Sequence, residues 1–505
     1  MRRNILLIIL VGLFLRLYRI QDFYMFLADQ GRDALVIKKI VLLQNFPAIG
    51  PPSSIGEVFL GPFYYYLVAP FLLLARLNPV GLAIGVAIIS TVGIYFAYSV
   101  VRKSLSDKAA LFFFFLITFS FELVRISRFS WNPNLLPYFS FATLYFFTQA
   151  LEEKNTHTIR DSALFGLFFG LSFQLHHLAG LLALPVAAYF IIILIQRKKI
   201  SLLLVPLISL ALFLATLVPL VIFEFRHQFL NTRNLISVFT QQNIVSTGPL
   251  YKRMFDINTA FIEYVFRFKF SPLIALGITL FILGYASWKL SKKSNNFILV
   301  QILAVVFYLF GFSRVNSNLI PHYYNAIYLS FYLLIAYVLD FNGVNHRLDS
   351  RLLTKGQSPF GRRGDDKGSK RIVLNIFLFV ALGLFIIWQV MGFDFIRGAG
   401  VFQDKKPREL GSFIAAQEGS KKINLTTYPI EFTSRDCYHY FIELYGGKVV
   451  SGTSPEVTET MYVLCDKEPC RILNSDSWNI QMFGKAKIDT MWNVDGIRIY
   501  KLLHK

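Results

Sequence analysis

What this chain has little of narrows its class at once. Only 16% of its 505 residues are charged, where soluble globular chains average about 25%, so for most of its length it is no ordinary soluble protein. Acids are scarce: 30 Asp and Glu face 51 Lys and Arg, a formal net charge of +21. Cysteine is scarcer, three in all and none before Cys437, so the long N-terminal portion holds no thiolate metal site and no catalytic cysteine. What is there is apolar. The chain is 55% hydrophobic and 16% aromatic, and many runs reach the roughly 20 residues needed to cross a bilayer. Lys and Arg fall in short clusters between these runs, the pattern of orientation signals and anionic-lipid contacts, which argues against nucleic acid as a partner.

The first run, Ile5 to Leu15, follows two arginines, but Arg16 and Arg19 close it and no small-x-small cleavage site stands behind it. We read it as a retained span with a cytoplasmic N-terminus. Further spans are expected near 80–101, 109–124, 135–151, 162–176, 178–196, 201–223, 272–288, 297–312, 323–340 and 372–391. The run 59–77 is ambiguous, because it contains Pro62, Tyr64, Tyr65, Tyr66, Pro70 and Arg76. If it crossed, every later basic cluster would move outside, so the positive-inside rule makes it an interfacial helix. The expected architecture is therefore a multi-pass cell-membrane protein of about eleven transmembrane helices over residues 1–391. Its first outer loop is 21–79, and its cytoplasmic linker is 342–371. From 392 to 505 polar residues return, and strand-like runs (423–427, 448–451, 461–465, 496–502) alternate with helical ones (408–417, 438–445). That segment reads as a small extracytoplasmic α/β domain.

Within the first loop stands Ala28-Asp29-Gln30-Gly31-Arg32-Asp33-Ala34-Leu35. On a helix, Asp29, Arg32 and Asp33 share one face at i, i+3 and i+4. A carboxylate there accepts a proton from an incoming hydroxyl, and a guanidinium holds a phosphate. A plainer reading has Asp29 capping the helix, Asp33 favouring its first turn and Arg32 pairing with both. Both readings stay open on the residues alone.

In layout the chain resembles the GT-C glycosyltransferases that use polyprenyl-phosphate sugars, among them the protein O-mannosyltransferases and the lipid A aminoarabinose transferases. The resemblance rests on Asp29-Gln30-Gly31-Arg32 after the first span and on Gly61-Pro62-Phe63-Tyr64-Tyr65-Tyr66-Leu67. It rests further on Ser127-Arg128-Phe129-Ser130-Trp131-Asn132-Pro133-Asn134 and on Pro321-His322-Tyr323-Tyr324. It covers about residues 1–340. It implies transfer of a sugar from a polyprenyl-phosphate donor, with inversion, to a glycan, lipid or protein acceptor at the outer membrane face. Asp29 would be the base. Arg32, Asp33, Tyr65, Arg128, Asn132, Asn134, His177, His322 and Tyr323 would bind substrate.

The chain departs from the family in two places. Gln30 replaces the second acid of the first loop, and Asn132 and Asn134 stand where an acid is usual. Asparagine cannot act as a base near neutral pH. No metal ligands are assigned, and a divalent cation stays open as a cofactor. Each candidate has a plainer role: Asn132-Pro133-Asn134 as a turn and cap, the pair His176 and His177 satisfying backbone carbonyls, His322 and Tyr323 in an aromatic belt. Arg314 is a further loop arginine, and Glu224 and Glu263 are left unassigned. Cys465 and Cys470 are spaced to bridge, leaving Cys437 over, which suits an oxidising compartment. The rival class, a transporter or flippase, predicts paired repeats, broken spans and mid-membrane ionisable residues, whereas this chain concentrates its charge in loops. A catalytically silent assembly or receptor protein is the third reading.

Overall fold

The computed structural model describes residues 2–53, 58–241, 248–340, 365–428, 435–452, 454–465, 469–470, 472–473, 475 and 477–504. The linker expected at 342–371 therefore lies mostly outside the described residues. Helices dominate. In order they are α1 (Arg2–Leu17), α2 (Ile20–Phe23), α3 (Ala28–Val41), α4 (Phe63–Leu74), α5 (Val80–Ser104), α6 (Asp107–Phe119), α7 (Phe121–Ile126), α8 (Leu136–Ala150) and α9 (Thr158–Leu175). There follow α10 (Ala183–Arg197), α11 (Leu204–Thr216), α12 (Val218–Arg226), α13 (Leu230–Gln241), α14 (Leu250–Phe266), α15 (Pro272–Lys292), α16 (Asn296–Ser313), α17 (Tyr328–Val338) and α18 (Asp365–Val390).

By length and apolar composition alone, four described segments suffice to cross a membrane: Val80–Ser104, His177–Arg197, Pro272–Lys292 and Asn296–Ser313. The pair α11–α12 makes a fifth if it is one span bent by 56°. Two expected spans are thus not continuous helices. The run 201–223 bends near Leu217, and the run 109–124 breaks at Ser120, whose hydroxyl caps α7 by accepting from the Leu123 N–H. The expected long loop 224–271 is largely helical, formed by α13 and α14. Helix α4, with 12 residues, extends only about 18 Å at 1.5 Å per residue, well short of a hydrocarbon core of about 30 Å. It lies against α5, where Gly85 leaves room for the Phe71 ring; a Cβ there would meet it at 2.6 Å.

The bundle has two chemically distinct ends. Basic residues close α5 (Arg102, Lys103), α10 (Arg197) and α15 (Lys289, Lys292). Contacts bind these tips together with the end of α17: Asn295 Nδ2 donates to the Ser104 carbonyl at 3.2 Å and Lys289 Nζ to that of Asp340 at 2.7 Å. At the opposite end lie α3, α4, α7 and the start of α17. Between the ends, α5, α6, α8, α16 and α17 bury most of their apolar side chains in one core, while α10, α11 and α15 leave rows of Leu and Ile exposed, as lipid-facing helices do.

After α18 and the short α19 (Asp394–Arg397) comes the C-terminal unit: α20 (Lys405–Glu418), β1 (Lys422–Tyr428), α21 (Arg435–Leu444), β2 (Lys448–Val449), β3 (Thr460–Cys465), α22 (Trp478–Phe483), β4 (Ala486–Val494) and β5 (Ile497–His504). The strands form one sheet in the order β2-β1-β3-β5-β4. β1 runs parallel to β2 and β3, and β5 antiparallel to β3 and β4. Alternation along β3 explains its two cores. Tyr462 and Leu464 pack with α20 and α21, and Met461 and Val463 pack on the other face with Ile480 and Phe483. Cys465 and Cys470 form a disulfide, and Cys437 is a buried free thiol.

Candidate active site

Helix α3 begins with Leu27 at the cap position, and the Gln30 Oε1 reaches back to accept the Leu27 N–H at 3.1 Å. Gln30 thus does the capping that the plainer reading gave to Asp29, and Asp29 is left in the first turn with its side chain 43% exposed. One helical turn on, Arg32 gathers both acids. Its Nη1 donates to Asp29 Oδ1 at 2.8 Å, and its Nε and Nη2 donate to Asp33 Oδ1 at 3.0 and 2.8 Å. The shared face expected from the spacing is present.

Asp33 is fully buried, and Tyr65 on α4 adds a third donor to the same oxygen at 3.1 Å. The other oxygen, Oδ2, is buried without a hydrogen-bond partner. Burial pushes this carboxyl up to about 6, more than Arg32 and Tyr65 hold it down. Next to Tyr65, Tyr64 shares a hydrogen bond of 2.6 Å with Ser130. The second loop is thereby fastened to the first.

From Ser130 the chain enters a ring cluster. Trp131 packs against His322 at 4.5 Å between centroids, and His322 meets Tyr323 at 4.2 Å. His176 stands 5.6 Å from both His322 and Tyr323. Burial, with Arg125 nearby, lowers the His322 imidazole to about 4, so it is neutral at physiological pH and has one N–H to donate. Sequence reasoning chose His177 for this place. The structure turns His177 toward Phe173, at 5.3 Å, and puts His176 in the cluster, its Nδ1 accepting the Leu178 N–H. The signal missed was that His176 is the cap residue of the turn 177–182, so its side chain, not its neighbour's, folds inward.

Other candidates prove to be fastenings. Arg128, expected to reach phosphate, is buried, with its guanidinium donating to the carbonyls of Leu15, Arg16 and Tyr18 at the end of α1 and lying 3.7 Å over the Phe395 ring. It completes a helix C-terminus. Asn134 Nδ2 donates to the Phe129 carbonyl at 2.9 Å, the turn-forming role, whereas Asn132 Nδ2 donates to the Leu175 carbonyl at 2.6 Å and ties the loop to the end of α9. Glu224 accepts the Asn231 and Thr232 N–H groups and so caps α13. One acid was overlooked because it falls inside an expected span. Buried Glu122 accepts Arg125 Nε and Nη2 at 3.0 and 2.7 Å, and so holds that half-exposed arginine near His322.

Among the described residues no three His, Cys, Asp or Glu side chains gather as metal ligands.

The family model for dolichyl-phosphate-mannose-protein mannosyltransferases matches residues 60–223. No curated protein sequence matches at a significant level. Among solved structures, ArnT from Cupriavidus metallidurans bound to undecaprenyl phosphate superposes with a TM-score of 0.65 at 12% identity, over 99% of this chain and 97% of that one. The same protein in its apo state gives 0.64 at 12% identity, over 99% and 98%. The archaeal oligosaccharyltransferase AglB from Archaeoglobus fulgidus, in complex with an inhibitory peptide and a dolichol-phosphate, gives 0.55 at 12% identity, over 91% and 68%. These likenesses do not favour a transporter. Over residues 60–223 the chain is thus similar to the dolichyl-phosphate-mannose-protein mannosyltransferases, and over nearly its whole length it has a fold like that of ArnT.

Proposed function

We propose that this protein transfers a sugar from a polyprenyl-phosphate donor to a hydroxyl of an envelope glycan, lipid or protein at the outer membrane face. The observation that carries this reading is the Asp29–Arg32–Asp33–Tyr65 cluster, at the bundle end opposite the basic helix tips. By the positive-inside rule that end faces outward, with the N-terminus in the cytoplasm. The two fold relatives whose structures hold undecaprenyl phosphate and a dolichol-phosphate support a lipid-linked donor.

Asp29 is the base. Its only contact with Arg32 is partly exposed, and such pairs contribute about 0–1 kcal/mol, so the donor phosphate displaces it at little cost. Arg32 then faces the phosphate, and Asp29 is free to take the acceptor proton. The acceptor oxygen attacks the anomeric carbon as the bond to the phosphate oxygen breaks. The polyprenyl phosphate leaves with the electron pair, its growing charge held by Arg32 with help from Tyr323 and His322. One displacement inverts the anomeric centre. Asp33, buried and paired, keeps Arg32 in place.

Purified protein in nanodiscs, offered a panel of polyprenyl-phosphate sugars and followed by mass spectrometry, tests the activity. Asp29→Asn should fold normally and lose roughly 10²–10⁴-fold in turnover, the usual contribution of a positioned base. Full transfer by Asp29→Asn with none by Asp33→Asn would make Asp33 the base. Full transfer by both would end the acid–base reading.

A further inference from the structure

We propose that helix α21 of the C-terminal unit is a positioning element of the active site: it holds the first turn of α3, and so aims Asp29 and Arg32. The inference rests on the catalytic reading of those residues given above.

Contacts join α21 to α3 along its length. At its start, Cys437 is packed onto Gly31, the residue just before Arg32. A Cβ on Gly31 would lie 2.7 Å from both the backbone nitrogen and the Sγ of Cys437, closer than real Cβ contacts come. That close approach explains the glycine inside the motif. The Cys437 thiol also donates to the Leu27 carbonyl at 3.2 Å, the residue that caps α3. One turn along, Phe26 wedges against the Tyr440 and Phe441 rings at 6.0 and 5.7 Å. At the far end Lys38, 5% exposed, donates to Glu443 at 2.6 Å, and His439 meets the other Glu443 oxygen at 2.8 Å. Burial alone would raise Glu443, yet the His439 and Lys38 bonds hold it at about 2.

Helix α3 is therefore gripped from two sides. Tyr65 of α4 meets Asp33, and α21 meets Leu27, Gly31 and Lys38. A helix that does not cross the membrane has only such neighbours to fix its tilt. A displacement of about 1 Å at reacting groups costs on the order of 10²-fold in rate. None of the α21 residues belongs to the acid–arginine cluster, so each acts through α3.

The test uses the full chain in nanodiscs and three variants: Gly31→Ala, Glu443→Leu, and Glu443→Leu combined with Lys38→Met. Losing one partner of a buried ion pair strands the other charge, whereas an apolar pair of similar size restores packing. Per folded molecule, Gly31→Ala and Glu443→Leu should lower kcat by on the order of 10-fold to 10²-fold, with donor KM within about threefold. The double variant should recover most of the loss. In the same proteins, amide exchange over 28–41 should accelerate in the two single variants and return to the wild-type rate in the double, while α4 stays unchanged. Wild-type kcat in both single variants, or unaltered exchange over 28–41, overturns the proposal. The exchange arm reads the clamp whether or not transfer is detected. Unaltered exchange beside an inactive Asp29→Asn would sink the clamp and leave the catalytic reading standing.

Discussion

At the scale of single residues, Asp33 is the informative case. Its carboxyl is raised from 3.8 to about 6 because burial outweighs Arg32. A folded-state value above the unfolded one gives a contribution that is complete below about 3.8 and lost as pH rises through about 6. At pH 7 the ionised form thus costs the fold about 3 kcal/mol. Asp33→Asn should therefore gain in thermal midpoint relative to wild type between pH 4 and pH 7. A difference that does not change with pH would contradict this account. The same titration reaches the chemistry: below about 6, neutral Asp33 leaves Arg32 to Asp29 alone and draws the base into its ion pair. Turnover should fall on the acid side of about pH 6, and donor binding should weaken with it, because the phosphate then has a tighter Asp29–Arg32 pair to displace. In Asp33→Asn that limb should be absent and the rate low throughout. The acid–arginine face was legible from spacing alone. The turn role of Asn134 was legible too, but those of Arg128 and Asn132 were not, because their partners are backbone carbonyls far along the chain, which no side-chain pattern announces.

At the scale of elements, the break at Ser120 shows how the site end is built. Helix α7 starts there with its Phe121 N–H donating to Gln389 Oε1 at 2.7 Å, while Gln389 Nε2 donates to the Phe266 carbonyl at 3.3 Å. One fully buried side chain on α18 thus satisfies groups on two other helices. Gln389→Met should strand the Phe121 N–H, while the Phe266 carbonyl keeps Trp388 Nε1 at 3.0 Å, and lower stability by about 1–3 kcal/mol, read as a lower thermal midpoint in detergent, with kcat per folded molecule unchanged. An unaltered midpoint would show that water takes over. Hydropathy found α6 and α7 as one run because apolar residues continue through the break; only the serine hydroxyl, bonded to Tyr332 at 2.9 Å, marks the bend. The edge strand β4 escaped for the opposite reason. It is mostly exposed and lacks a clean two-residue alternation.

At the scale of the whole molecule, the two ends of the bundle make a topological prediction. Ser294→Cys, on the loop between α15 and α16, should be shielded from an impermeant thiol reagent in intact cells. Ser420→Cys, just after α20, should react. Labelling at 294 would invert the protein and bring Asp29 to the cytoplasm. Much of this plan was legible: the apolar runs and the return of polar residues after 392 located the bundle and the sheet unit. The grip of α21 on α3 was not, since nothing in either segment names a partner so far along the chain.

That distance carries a consequence in time. Lys38 and Glu443 are 405 positions apart. At about 5–20 residues per second, ribosomes make the second roughly 20–80 s after the first. Helix α3 is thus among the first parts made and among the last to gain its α21 contacts. Under the proposed clamp, the newborn chain already carries Asp29 and Arg32 but gains their full turnover only after the final segment has crossed and folded.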